Sequence, residues 1–175
     1  MVAVSTNYLI IFRKALFLMP DATQLNLSRY VPALVNLLAN KLATGASLCY
    51  RKHFGIGVVE WRLLAMLKVE NNITANRMCE VIGLDKSAVS RSLQLLEKAG
   101  YVSSQVDSRD ARRNTVSLTA TGTALHDRVL KVALERERRL LGDLSEQEVD
   151  VLVDLLGRLQ AQVAHVNEYE PGSHE

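Results

Sequence analysis

Cysteine is nearly absent from this chain: Cys49 and Cys79 are the only two in 175 residues. They are too few and too widely spaced for a disulfide framework or a structural zinc site. Both sit among apolar neighbours in segments that read as helix, as buried inert thiols do; a redox-sensing thiol is the alternative. The four histidines, His53, His126, His165 and His174, include no pair at helical metal-ligand spacing, so each reads as a surface or packing residue. There is no Gly-x-Ser-x-Gly elbow, no phosphate-cradling glycine loop and no His-Glu-x-x-His. No metal, no cofactor and no enzymatic activity are therefore expected. Long apolar runs are missing as well, so no segment is expected to span a bilayer. Residues 1–17 are apolar but carry Arg13 and Lys14 in their middle, the reverse of the charge order of a secretory signal. A cytoplasmic protein without a membrane partner is expected. Excess charge is scarce too, because 21 Lys and Arg against 19 Asp and Glu leave a net +2, too little to announce nucleic acid by itself.

What remains is an ordinary globular composition, 48% hydrophobic and 23% charged, enough to bury a core in one or two domains. Its most informative stretch begins at Thr74, which can cap a short helix whose apolar face is Met78, Val81 and Ile82. Gly83 suits the stop, Leu84 the corner, and Asp85 a second cap. Val89, Leu93 and Leu96 then recur at helical spacing, which turns Lys86, Ser87, Ser90, Arg91 and Gln94 outward. That small, polar, basic face suits DNA: Arg bridges guanine O6 and N7, Gln pairs with adenine, Ser meets a base edge or phosphate, and Ala88 a thymine methyl. A merely solvated helix face is the plain alternative. After Gly100, residues 101–106 and 115–118 are rich in β-formers and flank a loop with three arginines, Arg109, Arg112 and Arg113. Helix, turn, helix and a hairpin with a basic loop come in the order of a winged helix-turn-helix. Charge is distributed to match, since Lys86, Arg91, Lys98 and the loop arginines lie here, while acid gathers in the tail as Glu146, Glu148, Asp150, Asp154, Glu168, Glu170 and Glu175.

Four pieces in register make this stretch resemble the MarR family of bacterial transcription regulators. They are Ser87-Ala88-Val89-Ser90-Arg91, Leu96-Glu97-Lys98-Ala99-Gly100-Tyr101-Val102, Asp107-Ser108-Arg109-Asp110-Ala111-Arg112, and Val116-Ser117-Leu118-Thr119-Ala120-Thr121-Gly122. Where that family usually reads Asp-Arg-Arg, this chain has Asp110-Ala111-Arg112, so the middle arginine is missing and Arg113 follows instead. The resemblance implies that Arg112 enters the minor groove from the wing tip while Asp110 orients the arginines. A winged-helix docking module for another protein is the reading from a different class.

Outside the module the chain is helical in pattern. Leu34, Leu37, Leu38, Leu42 and Leu48 line a helix over 27–52, Leu125, Val129, Ala133 and Leu140 a helix over 120–141, and Val149, Leu152, Val153, Leu156, Leu159 and Val163 another over 145–166. On the middle one Glu135 and Arg139 are an i, i+4 pair. Ser145 and Glu148 have capping-box spacing. The expected fold class is mainly α with a small β-wing: a winged helix-turn-helix plus terminal dimerisation helices. The expected segments are an N-terminal extension over 1–26, a dimerisation helix over 27–55, the DNA-binding domain over 56–119, dimerisation helices over 120–167 and a flexible tail over 168–175. For the extension, a helix packing across a dimer and a true start at Met19 are both open. Apolar stripes at both ends predict a homodimer that reads an inverted repeat in double-stranded DNA, as the family resemblance also implies.

That resemblance further implies a small-molecule effector, an aromatic acid or its CoA thioester, seated between the dimerisation helices and the winged domain. Trp61, Arg62, His53, Phe54, Asn36 and Asn40 are the expected pocket residues: a stacking ring, two cations for a carboxylate or phenolate, and polar neighbours. Core packing for Trp61 and a surface ion pair for Arg62 are the structural alternatives.

Overall fold

The computed structural model describes residues 25–106 and 114–172. Most of the N-terminal extension, Met19 included, and the tip of the basic loop lie outside the described residues, as do 173–175. Among the described residues the order is α1 (Val31–Phe54), α2 (Val58–Val69), β1 (Ile73–Thr74), α3 (Ala75–Ile82), α4 (Lys86–Lys98), β2 (Val102–Val106), β3 (Asn114–Leu118), α5 (Ala120–Leu140) and α6 (Glu146–Asn167). This is a mainly helical chain with a small antiparallel sheet, the fold class the sequence predicts. Contacts divide it into two units, one ending at His126 and the other beginning at Asp127.

The first helix starts at Val31, four residues later than its apolar pattern predicts. Asn26 explains the delay, because its Oδ1 accepts from the Ser28 amide at 3.1 Å and gives the backbone a turn in place of helix. Pro32, which has no N–H to give, then falls in the first turn, where none is needed.

Between α2 and α4 the expected punctuation is present. Thr74 Oγ1 accepts from the Arg77 amide at 3.3 Å and so caps α3. Gly83 ends that helix at φ +70°, a conformation side chains with a Cβ resist. Asp85 Oδ1 accepts from the Ala88 amide at 2.9 Å and starts α4. The core of this unit joins Leu63, Leu64 and Leu67 of α2, Met78 of α3, and Val89 and Leu96 of α4, all essentially inaccessible to water. Removing such a side chain from water is worth roughly 1.5–3 kcal/mol, which is what holds the short helices in place.

The sheet has the order β1-β3-β2. In the hairpin Val102 pairs Leu118 and Ser104 pairs Val116, so Val102 and Val116 point into the core. β1 adds two residues, Ile73 opposite Val116 and Thr74 opposite Thr115. This third strand is not in the sequence reading, because two residues cannot display a period of two. Asn71 supports it: its Oδ1 accepts from the Leu118 amide at 3.1 Å.

In the second unit Ser145 and Glu148 form the expected capping box, the Ser145 amide donating to Glu148 Oε2 at 2.8 Å. Glu135 on α5 accepts from Arg138 Nε at 2.8 Å and from Arg139 Nε at 2.6 Å. No residue of α6 is buried. Among the described residues no helix is long and apolar enough to cross a membrane.

Candidate nucleic-acid interface

The exposed side of α4 carries the residues its spacing turns outward. Lys86, Ser87, Ser90, Arg91 and Gln94 are all exposed and Ala88 is half-buried, while Val89, Ser92 and Leu96 face the core. The opening of the helix is anionic yet self-contained. Asp85 accepts from the Ser87 hydroxyl and from the Ala88 amide, and these bonds, the Ser87 one foremost, hold its carboxyl below the usual carboxylate range; the charge of Arg91 adds to them. An acidic cap so engaged keeps its negative charge turned toward its own helix, and the basic and hydroxyl side chains beside it remain on the outer face.

One part-buried polar contact ties this helix to its neighbour. Ser92, 6% exposed, donates from Oγ to Glu60 Oε1 at 2.6 Å. Glu60 Oε2 at the same time accepts from the Gly57 amide at 2.8 Å. Sequence reasoning missed both residues. The signal was present, since Ser92 is a polar residue inside the apolar stripe of Val89 and Leu96, and Glu60 stands three residues into a helix whose cap, Gly57, has no side chain.

The hairpin is anchored to the same helix. Glu97 Oε1 accepts from the Ser104 amide at 3.1 Å, tying α4 to β2. Where the chain leaves the sheet, the Thr119 and Thr121 hydroxyls both donate to the Gly100 carbonyl, at 2.7 Å and 2.8 Å. The end of α4, the exit of the wing and the start of α5 are thereby held at one point. Arg109, Asp110, Arg112 and Arg113, the expected wing contacts, lie outside the described residues.

The six expected effector residues are distributed over α1 and α2. Asn36 and Asn40 are exposed and bonded to each other at 3.2 Å. His53 is exposed, Phe54 half-buried, and their rings lie 6.4 Å apart. Trp61 is half-buried, stacked 5.3 Å from the ring of His126 and edge-on to Tyr50 at 6.1 Å; Arg62 is exposed. At 1.5 Å rise per residue, Asn40 stands roughly 20 Å along α1 from His53, so the asparagines and the aromatic group do not share one space within the chain. Of the six, only Phe54 lines the cleft of about 350 Å³ between the end of α1, the head of α2 and the last turns of α4. Arg51, Glu60, Leu95 and Tyr101 also line it. His126 is a packing residue, 5% exposed. Cys49 and Cys79 are free thiols, half-buried. Among the described residues no three His, Cys, Asp or Glu side chains gather for a metal ion.

The sequence profile of the MarR family matches residues 54–113. The chain is 36% identical to a MarR/EmrR family transcriptional regulator from Acinetobacter sp. ADP1, over 81% of this chain and 99% of that one, with a TM-score of 0.76. It is 27% identical to an uncharacterized HTH-type transcriptional regulator from Bacillus cereus, over 63% of this chain and 74% of the relative. The PcaV transcriptional regulator from Streptomyces coelicolor, solved in complex with its natural ligand, shares the fold at 22% identity and a TM-score of 0.69, over 81% of this chain and 98% of that one. With a sequence match that runs through α4 and the hairpin, and a full-length structural relative above one-third identity, this chain belongs to the MarR family of transcription regulators.

Proposed function

We propose that the protein is a homodimeric, ligand-responsive regulator, a repressor released from a pseudo-palindromic DNA operator when a small aromatic acid or its CoA thioester binds. The observation that carries the reading is the outer face of α4: Lys86, Ser87, Ser90, Arg91 and Gln94 together on the solvent side of a helix fixed by its cap, its core face and Glu60. Arg91 and Gln94 have the donors to read base edges in a major groove, and Lys86 and Ser90 suit phosphates. Arg109, Arg112 and Arg113 complete the interface from the wing, with Asp110 orienting them. Such a regulator works where the chromosome is, in the cytoplasm.

Dimerisation is supported by α1 and α6. Leu34, Leu37, Leu38 and Leu42 on the first and Leu152, Leu155, Leu156 and Leu159 on the second all stand exposed in the single chain. Helical stripes of this size are covered by a second copy in a two-fold DNA reader, whose half-sites then lie about one helical turn, roughly 34–36 Å, apart. In this reading 27–55 and 120–167 are the dimerisation segments and 56–119 the DNA-binding domain. Effector binding is supported by the ligand complex of PcaV and by the cleft at Arg51, Phe54 and Tyr101, which offers a guanidinium for an acid group and rings for an aromatic body. Trp61, Arg62 and His53 stand at the neighbouring end of α1 and head of α2. A bound acid then favours a dimer whose two α4 helices no longer fit successive major grooves.

The test is retention of duplexes from a random-sequence library, followed by salt titration on the best binder. Arg91→Ala lowers affinity and relaxes base preference at its position, and Arg112→Ala lowers affinity and shallows the log–log salt slope by about one unit. Wild-type slope and affinity in both variants would remove the assigned interface. In a thermal-shift screen, aromatic acids or their CoA thioesters raise the melting temperature of the wild type.

A further inference from the structure

We propose that Glu60 and Ser92 are positioning residues for DNA recognition: their hydrogen bond sets the rotation of α4 about its own axis. This rests on the reading of α4 as the recognition helix.

The bond is 2.6 Å long, lies between residues 32 apart in sequence, and joins the first turn of α2 to the buried face of α4. Its acceptor is itself held, because the other carboxylate oxygen takes the Gly57 amide at 2.8 Å. The head of α2 is in turn tied to α1, where Ser47 Oγ accepts from the Val58 amide at 3.1 Å. A short chain of polar contacts thus runs from α1 through α2 to α4.

The other buried residues of that α4 face, Val89 and Leu96, are apolar. Apolar contact is non-directional and tolerates a small roll of the helix, whereas a hydrogen bond to one carboxylate oxygen does not. Ser90 and Gln94 stand two residues to either side of Ser92, so at 3.6 residues per turn they point about 160° away from it, to the outer face. Fixing Ser92 therefore fixes where Ser90 and Gln94 point. In the proposal this part-buried pair contributes register more than net stability.

The experiment compares wild type, Ser92→Ala and Glu60→Gln on the duplex selected by the wild type and on a scrambled duplex of equal length. Amide exchange of the free proteins is measured alongside. Ser92→Ala is expected to lose roughly tenfold of the preference for the selected duplex, the scale of one charge-assisted bond, while scrambled-duplex affinity stays put. Amides of α4 exchange faster in this variant and those of Leu63 to Leu67 keep their protection. Glu60→Gln retains the wild-type preference, because its Oε1 can accept from Gly57 while its Nε2 donates to the Ser92 hydroxyl. The proposal is overturned by wild-type preference and α4 exchange in Ser92→Ala, or by parallel loss of both affinities with a chain-wide fall in protection. If the wild type prefers no duplex, the recognition-helix reading fails, and the exchange measurement still decides whether the pair holds α4.

Discussion

Gly122 packs its Cα against the backbone where α4 gives way to the wing. A Cβ built on it would lie 1.9 Å from the Tyr101 carbonyl oxygen, inside any contact distance and against backbone that no rotamer change can clear. Around it the Thr119 hydroxyl accepts from the Gly122 amide at 3.0 Å while donating to Gly100, so moving Gly122 away strains the same knot. Gly122→Ala is expected to cost roughly 1–3 kcal/mol, the usual range for forced overpacking, and in a chain of this size that lowers the melting temperature by about 2–4 °C per kcal/mol. An unchanged midpoint in thermal and urea denaturation would mean that α5 does not enter the fold at this distance. The glycine stands in the segment that carries the family resemblance, Val116 to Gly122, and its reason there is steric. It leaves room for the Tyr101 carbonyl where the chain passes from α4 into β2.

At the scale of elements, α5 closes with Glu135 held between Arg138 and Arg139. Hydrogen bonds from Arg138 first, then Arg139, lower its pKa from 4.5 to about 2. A carboxyl depressed by folding adds stability that is fully present above its unfolded pKa, near 4.5, and is lost as pH falls through the folded value near 2. The Glu135 side-chain carbon signal is therefore expected to titrate with a midpoint near 2 in the folded protein, moving upward with added salt because the cluster is exposed and screened. A midpoint in the ordinary carboxylate range in low salt would show that the arginines do not hold it. The Glu135–Arg139 pair was legible in the sequence at spacing i, i+4, as were the caps at Thr74, Asp85 and Ser145 and the apolar stripes of α1, α4 and α6. Each is a local pattern, read within one or two helical turns. What escaped the sequence is non-local: β1 exists only because Ile73 meets Val116, and Ser92 reads as an ordinary polar residue until Glu60, 32 positions earlier, is placed beside it. The start of α1 was misplaced for a different reason, a side-chain turn at Asn26 that competes with an apolar periodicity already under way.

For the whole molecule, the apolar surface decides. Leu152, Leu155, Leu156 and Leu159 stand 37%, 45%, 47% and 49% exposed on α6, a contiguous apolar stripe of the kind that marks an interaction surface. In the proposed dimer a second copy covers this face at little entropic cost to helices that are already formed, and would place two α4 helices on one duplex. Leu152→Glu with Leu156→Glu introduces two like charges one turn apart on the face each subunit would present to the other. The expected outcome is a monomer by sedimentation velocity at micromolar concentration, with the α4 core still folded. Binding to the selected duplex then falls to the level of a scrambled one, because a single winged module keeps its phosphate contacts but loses the second half-site. On the proposed reading Arg91→Ala is the converse: it sediments as the wild type does but binds the selected duplex weakly. If the doubly charged variant sediments as a dimer and discriminates between duplexes as the wild type does, the terminal helices are not the interface, and the stripe on α6 must be covered by something other than a second subunit.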